Sequence, residues 1–138
     1  MRASPPRTPR LATALVAFAL VLLAAPARAD RWYEHYARAE KALAARDWRT
    51  AVAELNGAIE VKGDSGARER SYGMRVVAYF PYFKLGIAYY HLGELEAAEQ
   101  AFQTEVQLGA IARSADDLAE LKRYRELTNE ARANAGQG

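Results

Sequence analysis

Apolar residues recur at steps of three and four along most of this chain, from Trp32 to Ala133. That spacing is the period of an α-helix with one buried face, and no useful stretch alternates apolar and polar residues as a half-buried strand does. Glycine-containing turns interrupt the pattern near Gly63 and Gly109. We therefore predict an all-α fold. Its expected helices span about residues 32–45, 48–61, 80–91, 94–108 and 115–133, followed by a flexible tail at 134–138.

The third and fourth predicted helices carry the most informative spacing. Small residues at Gly86 and Ala98 would let two helix backbones approach closely, and large residues would fill the space beside them. The order is aromatic-x2-Leu-Gly-x2-Tyr-x8-Ala-x3-Phe, formed by Tyr82, Leu85, Gly86, Tyr89, Ala98 and Phe102. This order resembles the tetratricopeptide repeat (TPR), a pair of antiparallel helices. The resemblance implies a fragment of a right-handed α-solenoid that binds another chain rather than catalysing a reaction.

A similar but weaker unit precedes this one. An offset of 47 residues places Ala39 on Gly86 and Leu55 on Phe102. The second unit departs from the repeat pattern at Glu105, where alanine is common. The predicted organisation is two units at about residues 32–63 and 79–110, an insertion at 64–78 and a C-terminal capping helix at 115–133, within a domain at 30–133.

The insertion is the part of the chain that a generic repeat does not explain. The usual repeat period is about 34 residues, so an offset of 47 leaves about 13 extra residues between the units. One interpretation is an ordered loop or a turn of helix whose arginines pair with local carboxylates. Another is a specificity element in which Arg68, Arg70 and Arg75 bind a partner's carboxylate or phosphate. A disordered segment is the third interpretation.

The resemblance also implies a concave groove lined by the first helix of each unit. The positions that it carries over are Tyr33, Tyr36, Glu40 and Leu43 in the first unit, and Phe83, Ile87, Tyr90 and His91 in the second. A mostly apolar groove favours an amphipathic helix or an extended apolar segment of a protein partner. The predicted partner contacts are Tyr33, Tyr36, Phe83, Ile87 and Tyr90, with Arg70 and Arg75 adding polar selectivity.

A different use of the same residues is also open. Solenoids generally need three or more stacked units, so two units leave an apolar face uncovered. The insertion could bury that face, or a second copy of the protein could do so. The alternative function is therefore a structural subunit that uses its aromatic face to form a homodimer or a larger homo-oligomer.

The first 29 residues have the features of a signal peptide. Arg2, Arg7 and Arg10 precede an apolar run at 11–25, and Ala27-Arg-Ala29 supplies a small-x-small cleavage site. We predict cleavage near Ala29 and a periplasmic or secreted location in a bacterium. An uncleaved signal anchor is the alternative, although the run of about 15 apolar residues is short for a bilayer span. No stable membrane span is expected after cleavage.

Cleavage would change the charge of the chain. The full sequence has a formal net charge of +2 and holds 19 Lys and Arg against 17 Asp and Glu. Residues 1–29 contain four of the basic residues and none of the acidic ones, which gives the mature chain a net charge of about −2. The basic character of the precursor is therefore no argument for binding nucleic acid or anionic membranes.

Chemistry-bearing motifs are absent from the sequence. The chain contains no cysteine, which excludes disulfides and thiolate metal sites. His35 and His91 lie in different predicted helices without metal-ligand spacing, and no hydrolase or phosphate-binding motif occurs. We predict no enzymatic activity, no cofactor and no metal. The expected function is an adaptor or assembly factor in the cell envelope that binds a protein or peptide partner.

Overall fold

The computed structural model describes residues 2–5 and 31–137. The described part is mostly helical, as predicted, and contains one small sheet. In chain order the elements are helices α1 (Trp32–Ala44) and α2 (Trp48–Val61), strands β1 (Gly66–Arg70) and β2 (Val76–Tyr79), helices α3 (Pro81–His91) and α4 (Leu95–Leu108), a 3-10 turn (Ala110–Arg113) and helix α5 (Ala115–Gly136). Helix α5 runs to Gly136, so most of the predicted flexible tail is helical. The predicted signal peptide lies outside the described residues, apart from residues 2–5.

Local sequence signals account for the helix ends. The Asp47 side chain caps α2, because Oδ1 accepts a hydrogen bond from the Thr50 N–H at 3.2 Å. Pro81 occupies the first turn of α3, where an amide hydrogen is not needed. Gly109 ends α4 with a φ of +83°, a left-handed conformation that glycine adopts without strain.

The insertion between the helix pairs is a β-hairpin, and the expectation of no strand in the chain is wrong here. Strands β1 and β2 pair antiparallel, with Glu69 opposite Val77 and Arg70 opposite Val76. An irregularity in the pairing lies between Gly66 and Glu69. The strands are only five and four residues long, and β1 carries three charged side chains. Strand β1 is short and polar and β2 is short and wholly apolar, so neither shows the alternation of apolar and polar residues that predicts a strand.

The base of the hairpin is fixed to the helices. The Tyr79 hydroxyl donates a hydrogen bond to the Lys62 carbonyl at 2.8 Å, and the Tyr82 hydroxyl donates to the Gly63 carbonyl at 2.7 Å. The Tyr79 ring also packs against Trp32, with ring centroids 4.5 Å apart. Both ends of the insertion are therefore held against α1 and α2, which makes it an ordered part of the fold.

The helix pairs pack through the small and large residues that the sequence predicted. Gly86 of α3 faces the Phe102 ring of α4 so closely that a β-carbon would overlap the ring. In the first pair, Ala39 and Leu55 are fully buried. The described residues contain three apolar clusters. The first surrounds Tyr36, Leu55 and Tyr79 and includes Leu85 of α3 and Ala101 of α4, so it spans both helix pairs. The second joins α3, α4, the 3-10 turn and α5 around Phe83, Phe102, Ile111 and Leu121. The third consists of Ala42, Ala51 and Ala88.

Within residues 2–5 and 31–137, none of the helices combines the length and the apolar character that a membrane span requires.

Candidate partner-binding site

A small cavity lies between one face of α1 and the tip of the hairpin. Its volume is about 210 Å³. The spacing of its α1 residues is i, i+3, i+4 and i+7, which places them on one helix face. The hairpin contributes residues from both sides of its turn. The lining consists of Tyr33, Tyr36, Ala37 and Glu40 from α1, and Ser71, Tyr72, Arg75 and Val77 from the hairpin.

Tyr36 forms the floor of this cavity. Its side chain is 4% exposed and packs edge-on against Tyr79, with ring centroids 4.9 Å apart. Its hydroxyl accepts a hydrogen bond from the Phe80 N–H at 3.4 Å. Burial, reinforced by the nearby charge of Glu40, raises the pKa of the Tyr36 phenol. Tyr36 therefore stays neutral at physiological pH and offers a ring face and edge rather than a charge.

The rim of the cavity is more open. Tyr72, which follows strand β1, is 76% exposed. The hairpin turn places it there, because Gly73 has a φ of +69° and the Ser71 N–H donates to the Arg75 carbonyl at 2.9 Å. Tyr33 is half-buried, and its hydroxyl accepts a hydrogen bond from the Arg31 guanidinium. Two tyrosine rings thus border the entrance.

Arg75 supplies an available positive charge at this rim. Its side chain is exposed, and its guanidinium forms no ion pair with any described residue. The same holds for Arg68 and Arg70, whereas Glu69 of the same hairpin pairs with Lys62 at 3.4 Å. The insertion is ordered, as the first interpretation expected, but the pairing of its arginines with local carboxylates that the same interpretation included is wrong.

The structure brings together only some of the predicted site residues. Tyr33, Tyr36 and Arg75 line the cavity, and Glu40 lies with them. Arg70 is exposed on the hairpin but does not line the cavity. Sequence analysis did not single out Tyr72. The signal that could have identified it is a tyrosine directly before a glycine, which places an aromatic side chain at a turn.

Phe83 and Ile87 belong to the protein core and do not line an open groove. Phe83 is fully buried and Ile87 is 8% exposed. Both pack in the cluster that contains Phe102, Ile111 and Leu121, to which α5 contributes. The continuous groove that was predicted along α1 and α3 is thus interrupted, because the C-terminal helix and the 3-10 turn cover its second half.

Tyr90 is half-buried in an aromatic cluster at the other end of α3. Its ring meets Tyr124 of α5 with centroids 5.5 Å apart. Beside it, His91 stacks on Trp48 with centroids 4.1 Å apart and an interplanar angle of 7°. Burial, and then the nearby Arg46, lowers the pKa of His91. These rings fill one another's space, so Tyr90 is separate from the cavity at α1.

The histidines have ordinary structural surroundings. The His35 Nδ1 lies 2.8 Å from Glu54 Oε2, and Arg38 Nε lies 3.1 Å from the same oxygen. Among residues 2–5 and 31–137, no three side chains of His, Asp or Glu lie close enough together to hold a metal ion.

Comparison of the chain with protein-family models, with curated proteins and with solved structures gives no match.

Proposed function

We propose that this protein is a TPR-like adaptor or assembly factor of the bacterial cell envelope, which binds a protein partner at the cavity between α1 and the hairpin. One observation carries the proposal. Tyr33 and Tyr36 of α1 are far in the sequence from Tyr72 and Arg75 of the hairpin, and the two elements bring them together on a single cavity of about 210 Å³. Aromatic and arginine side chains around a small apolar recess are typical of the residues that dominate protein interfaces.

The packing of the helices supports the TPR-like part of the proposal. At the offset of 47 residues, Ala39 matches Gly86 and Leu55 matches Phe102, and all four positions are buried. The α1–α2 and α3–α4 pairs thus use small and large residues at equivalent places. Helix α5 packs on the second pair as a further helix would in a stacked array. The hairpin is then an insertion between two like units.

The lining of the cavity suggests the chemistry of the partner. A recess floored by the Tyr36 ring and bordered by Tyr33 and Tyr72 accepts an apolar or aromatic side chain. Arg75 forms no ion pair with a described residue, so a carboxylate beside that apolar side chain would find a partner at the rim. We therefore expect an apolar segment with an adjacent Asp or Glu, presented by an amphipathic helix or an extended chain.

Photocrosslinking from position 72 tests the proposal. A photoreactive amino acid in place of Tyr72, which is 76% exposed, should crosslink one protein in cells, to be identified by mass spectrometry. Arg75→Glu should weaken binding of that purified protein by about tenfold, because the attraction between Arg75 and a carboxylate of the partner is replaced by repulsion between two carboxylates. Arg70→Glu is the matched control, since it makes the same charge change on the same hairpin outside the cavity.

A second pair of variants separates the cavity from the hairpin surface as a whole. Tyr72→Ser should weaken binding of the identified partner, whereas Met74→Ser should leave it unchanged, because Met74 is 93% exposed and does not line the cavity. Equal effects of Arg75→Glu and Arg70→Glu, or of Tyr72→Ser and Met74→Ser, would show that the cavity is not the binding site.

Homo-oligomerisation is the second candidate function. The observation that favours it is the row of exposed apolar side chains on the hairpin, with Tyr72 76%, Met74 93% and Val76 45% exposed. In this alternative the hairpin of one copy covers the hairpin of another. Light scattering of the purified protein distinguishes the two functions, since the adaptor is a monomer that binds a different protein and the subunit is a stable homo-oligomer.

A further inference from the structure

A second and larger cavity borders the opposite part of the hairpin. Its volume is about 770 Å³, and it lies between β1 and the turn that follows α4. It shares no lining residue with the cavity at α1. The lining residues are Ser65, Gly66, Ala67, Arg68 and Glu69 on one side, and Leu108, Gly109, Ala110, Arg113 and Ser114 on the other.

The pattern of the lining shows how the cavity meets the strand. Successive side chains of a strand point to opposite faces, so a cavity on one face is lined by every second residue. Here the residues from 65 to 69 line it without a gap. The irregular pairing between Gly66 and Glu69 breaks the alternation there, and the cavity extends along the strand from residue 65 to residue 69. Within the described residues the sheet has two strands, so β1 pairs with β2 on one side only.

The open edge of β1 is a template for another strand. Unpaired N–H and C=O groups along an edge accept an extended segment by main-chain hydrogen bonding. Hydrogen bonds between the described backbone groups of residues 66–70 and the rest of the chain are confined to the pairing with β2. The 3-10 turn contacts β1, and Ala67 packs on the cluster that contains Ile111 of that turn. A gap remains between the strand and the turn.

The charges around the gap are mainly positive. Arg68 on the strand and Arg113 on the turn are exposed, and neither forms an ion pair with a described residue. The one carboxylate in the lining, Glu69, is paired with Lys62 at 3.4 Å. Ser114 Oγ is also engaged, since it donates a hydrogen bond to Asp117 Oδ2 at 2.5 Å. Leu108, which is 44% exposed, adds an apolar contact.

We propose that this gap is a binding site for an extended acidic peptide segment, which adds to the edge of β1 as a third strand. Its main chain pairs with residues 66–69, its carboxylates meet Arg68 and Arg113, and an apolar side chain meets Leu108. About six residues suffice, because a strand advances about 3.4 Å per residue and β1 has five. The site does not depend on the function proposed for the cavity at α1.

A synthetic peptide provides the first test. The blocked hexapeptide acetyl-EVEVEV-amide, titrated into the isotope-labelled protein, should shift the amide resonances of residues 66–69 and 108–114. The matched peptide acetyl-KVKVKV-amide should leave them in place, because it carries the wrong charge for two arginines. Arg68→Glu and Arg113→Glu should each weaken binding by about fivefold or more, and Arg70→Glu by less than about twofold.

N-methylation separates strand addition from simple charge attraction. Alternate residues of a strand direct their main-chain groups to the same edge. One peptide carries N-methyl groups on its glutamates and another on its valines. One of the two should lose at least about tenfold in affinity and the other should bind much more tightly, because only one set of amides faces β1.

Three results would overturn the proposal. They are equal binding of both methylated peptides, no shift of residues 66–69 at millimolar peptide, and a homodimer whose interface protects those amides from hydrogen exchange. Arg75→Glu should leave hexapeptide binding unchanged, since Arg75 does not line this gap. A negative result with the hexapeptide therefore leaves the binding proposed at the cavity of α1 unaffected, and the reverse also holds.

Discussion

The main-chain N–H of Phe83 donates a hydrogen bond to Glu105 Oε2 at 3.0 Å, so a carboxylate from the last turn of α4 caps the first turn of α3. Glu105 is fully buried. Its other oxygen, Oε1, lies near Ser65 Oγ, but neither atom has a hydrogen bond of good geometry within the described residues. Burial raises the pKa of Glu105 more than the neighbouring donors lower it.

Glu105→Gln should therefore change how stability depends on pH. The unfolded chain releases the proton near the ordinary value of 4.5, whereas the folded protein holds it to higher pH. Deprotonation thus costs the wild-type protein stability as the pH rises above 4.5, and glutamine has no such cost. The free energy of unfolding of the variant should therefore increase relative to that of wild type between pH 4 and pH 7, as measured by urea unfolding.

Glu105→Ala is the control for the hydrogen bond itself. It removes the acceptor of the Phe83 N–H, so we expect it to be about 1–3 kcal/mol less stable than Glu105→Gln at each of these pH values, since neither residue titrates. A constant difference between Glu105→Gln and wild type over this range would contradict the raised pKa.

Gly86→Ala should destabilise the second helix pair. A β-carbon at Gly86 would overlap the Phe102 ring, and both residues are buried, so the helices must move apart. We expect a loss of about 2 kcal/mol in the free energy of unfolding, measured by circular dichroism in urea. Gly136→Ala is the matched control, because it adds the same methyl group to a helix where no atom lies within 4 Å.

A compensating substitution tests the cause of that loss. Adding Phe102→Leu to Gly86→Ala should cost less than the sum of the two single changes, since the smaller side chain vacates the space that the methyl group needs. Simple additivity of the two losses would mean that the contact between Gly86 and Phe102 does not limit the approach of the helices.

The stacked pair of His91 and Trp48 should report protonation by fluorescence. Burial lowers the pKa of His91, so the ring should gain its proton only below its ordinary value of 6.5. A protonated imidazole 4.1 Å from the indole should quench its emission. In a Trp32→Phe background, which leaves one tryptophan, emission should fall with a midpoint below pH 6.5. Adding His91→Gln should abolish the transition, and a midpoint above 6.5 would contradict the assignment.

The lowered pKa of His91 also predicts how the stability of the protein depends on pH. The unfolded chain binds the His91 proton more readily than the folded protein does, so stability should decline as the pH falls below 6.5. His91→Gln should remove that part of the decline.

The two ion pairs that join α5 to α4 should differ in strength. Arg125 pairs with Glu99, whose side chain is 19% exposed, and Arg132 pairs with Glu96, whose side chain is 74% exposed. Solvent screens the second pair more completely. Arg125→Met should therefore cost about 1 kcal/mol and Arg132→Met less than about 0.5 kcal/mol in urea unfolding. The opposite order would show that exposure does not decide the strength of these contacts.

The positions of the helices and the seam at Gly86 could be predicted from the sequence, because both depend on local spacing and on residue size. The hairpin could not. Five residues such as Gly66–Arg70 have no strong tendency to form a strand, and they do so because β2 and the fixed base of the insertion hold them in place.

The candidate site was predictable only in part, for a related reason. Tyr36 and Phe83 occupy equivalent positions at the offset of 47 residues, and nothing in their type distinguishes a cavity floor from a core residue. The difference arises because α5 and the 3-10 turn bury Phe83, whereas the hairpin tip leaves space beside Tyr36. Likewise, Glu105 stands out in the sequence as a departure from alanine, but its target at Phe83 depends on where α3 begins.

The way in which the insertion is attached has a consequence for design. Tyr79 and Tyr82 fix its base to Lys62 and Gly63, and the bond between the Ser71 N–H and the Arg75 carbonyl closes its turn. Residues 72–74 can therefore be exchanged for other turn sequences, because these hydrogen bonds hold the two ends of the turn in place. Libraries of turn sequences built there would sample new binding preferences on an unchanged helical frame.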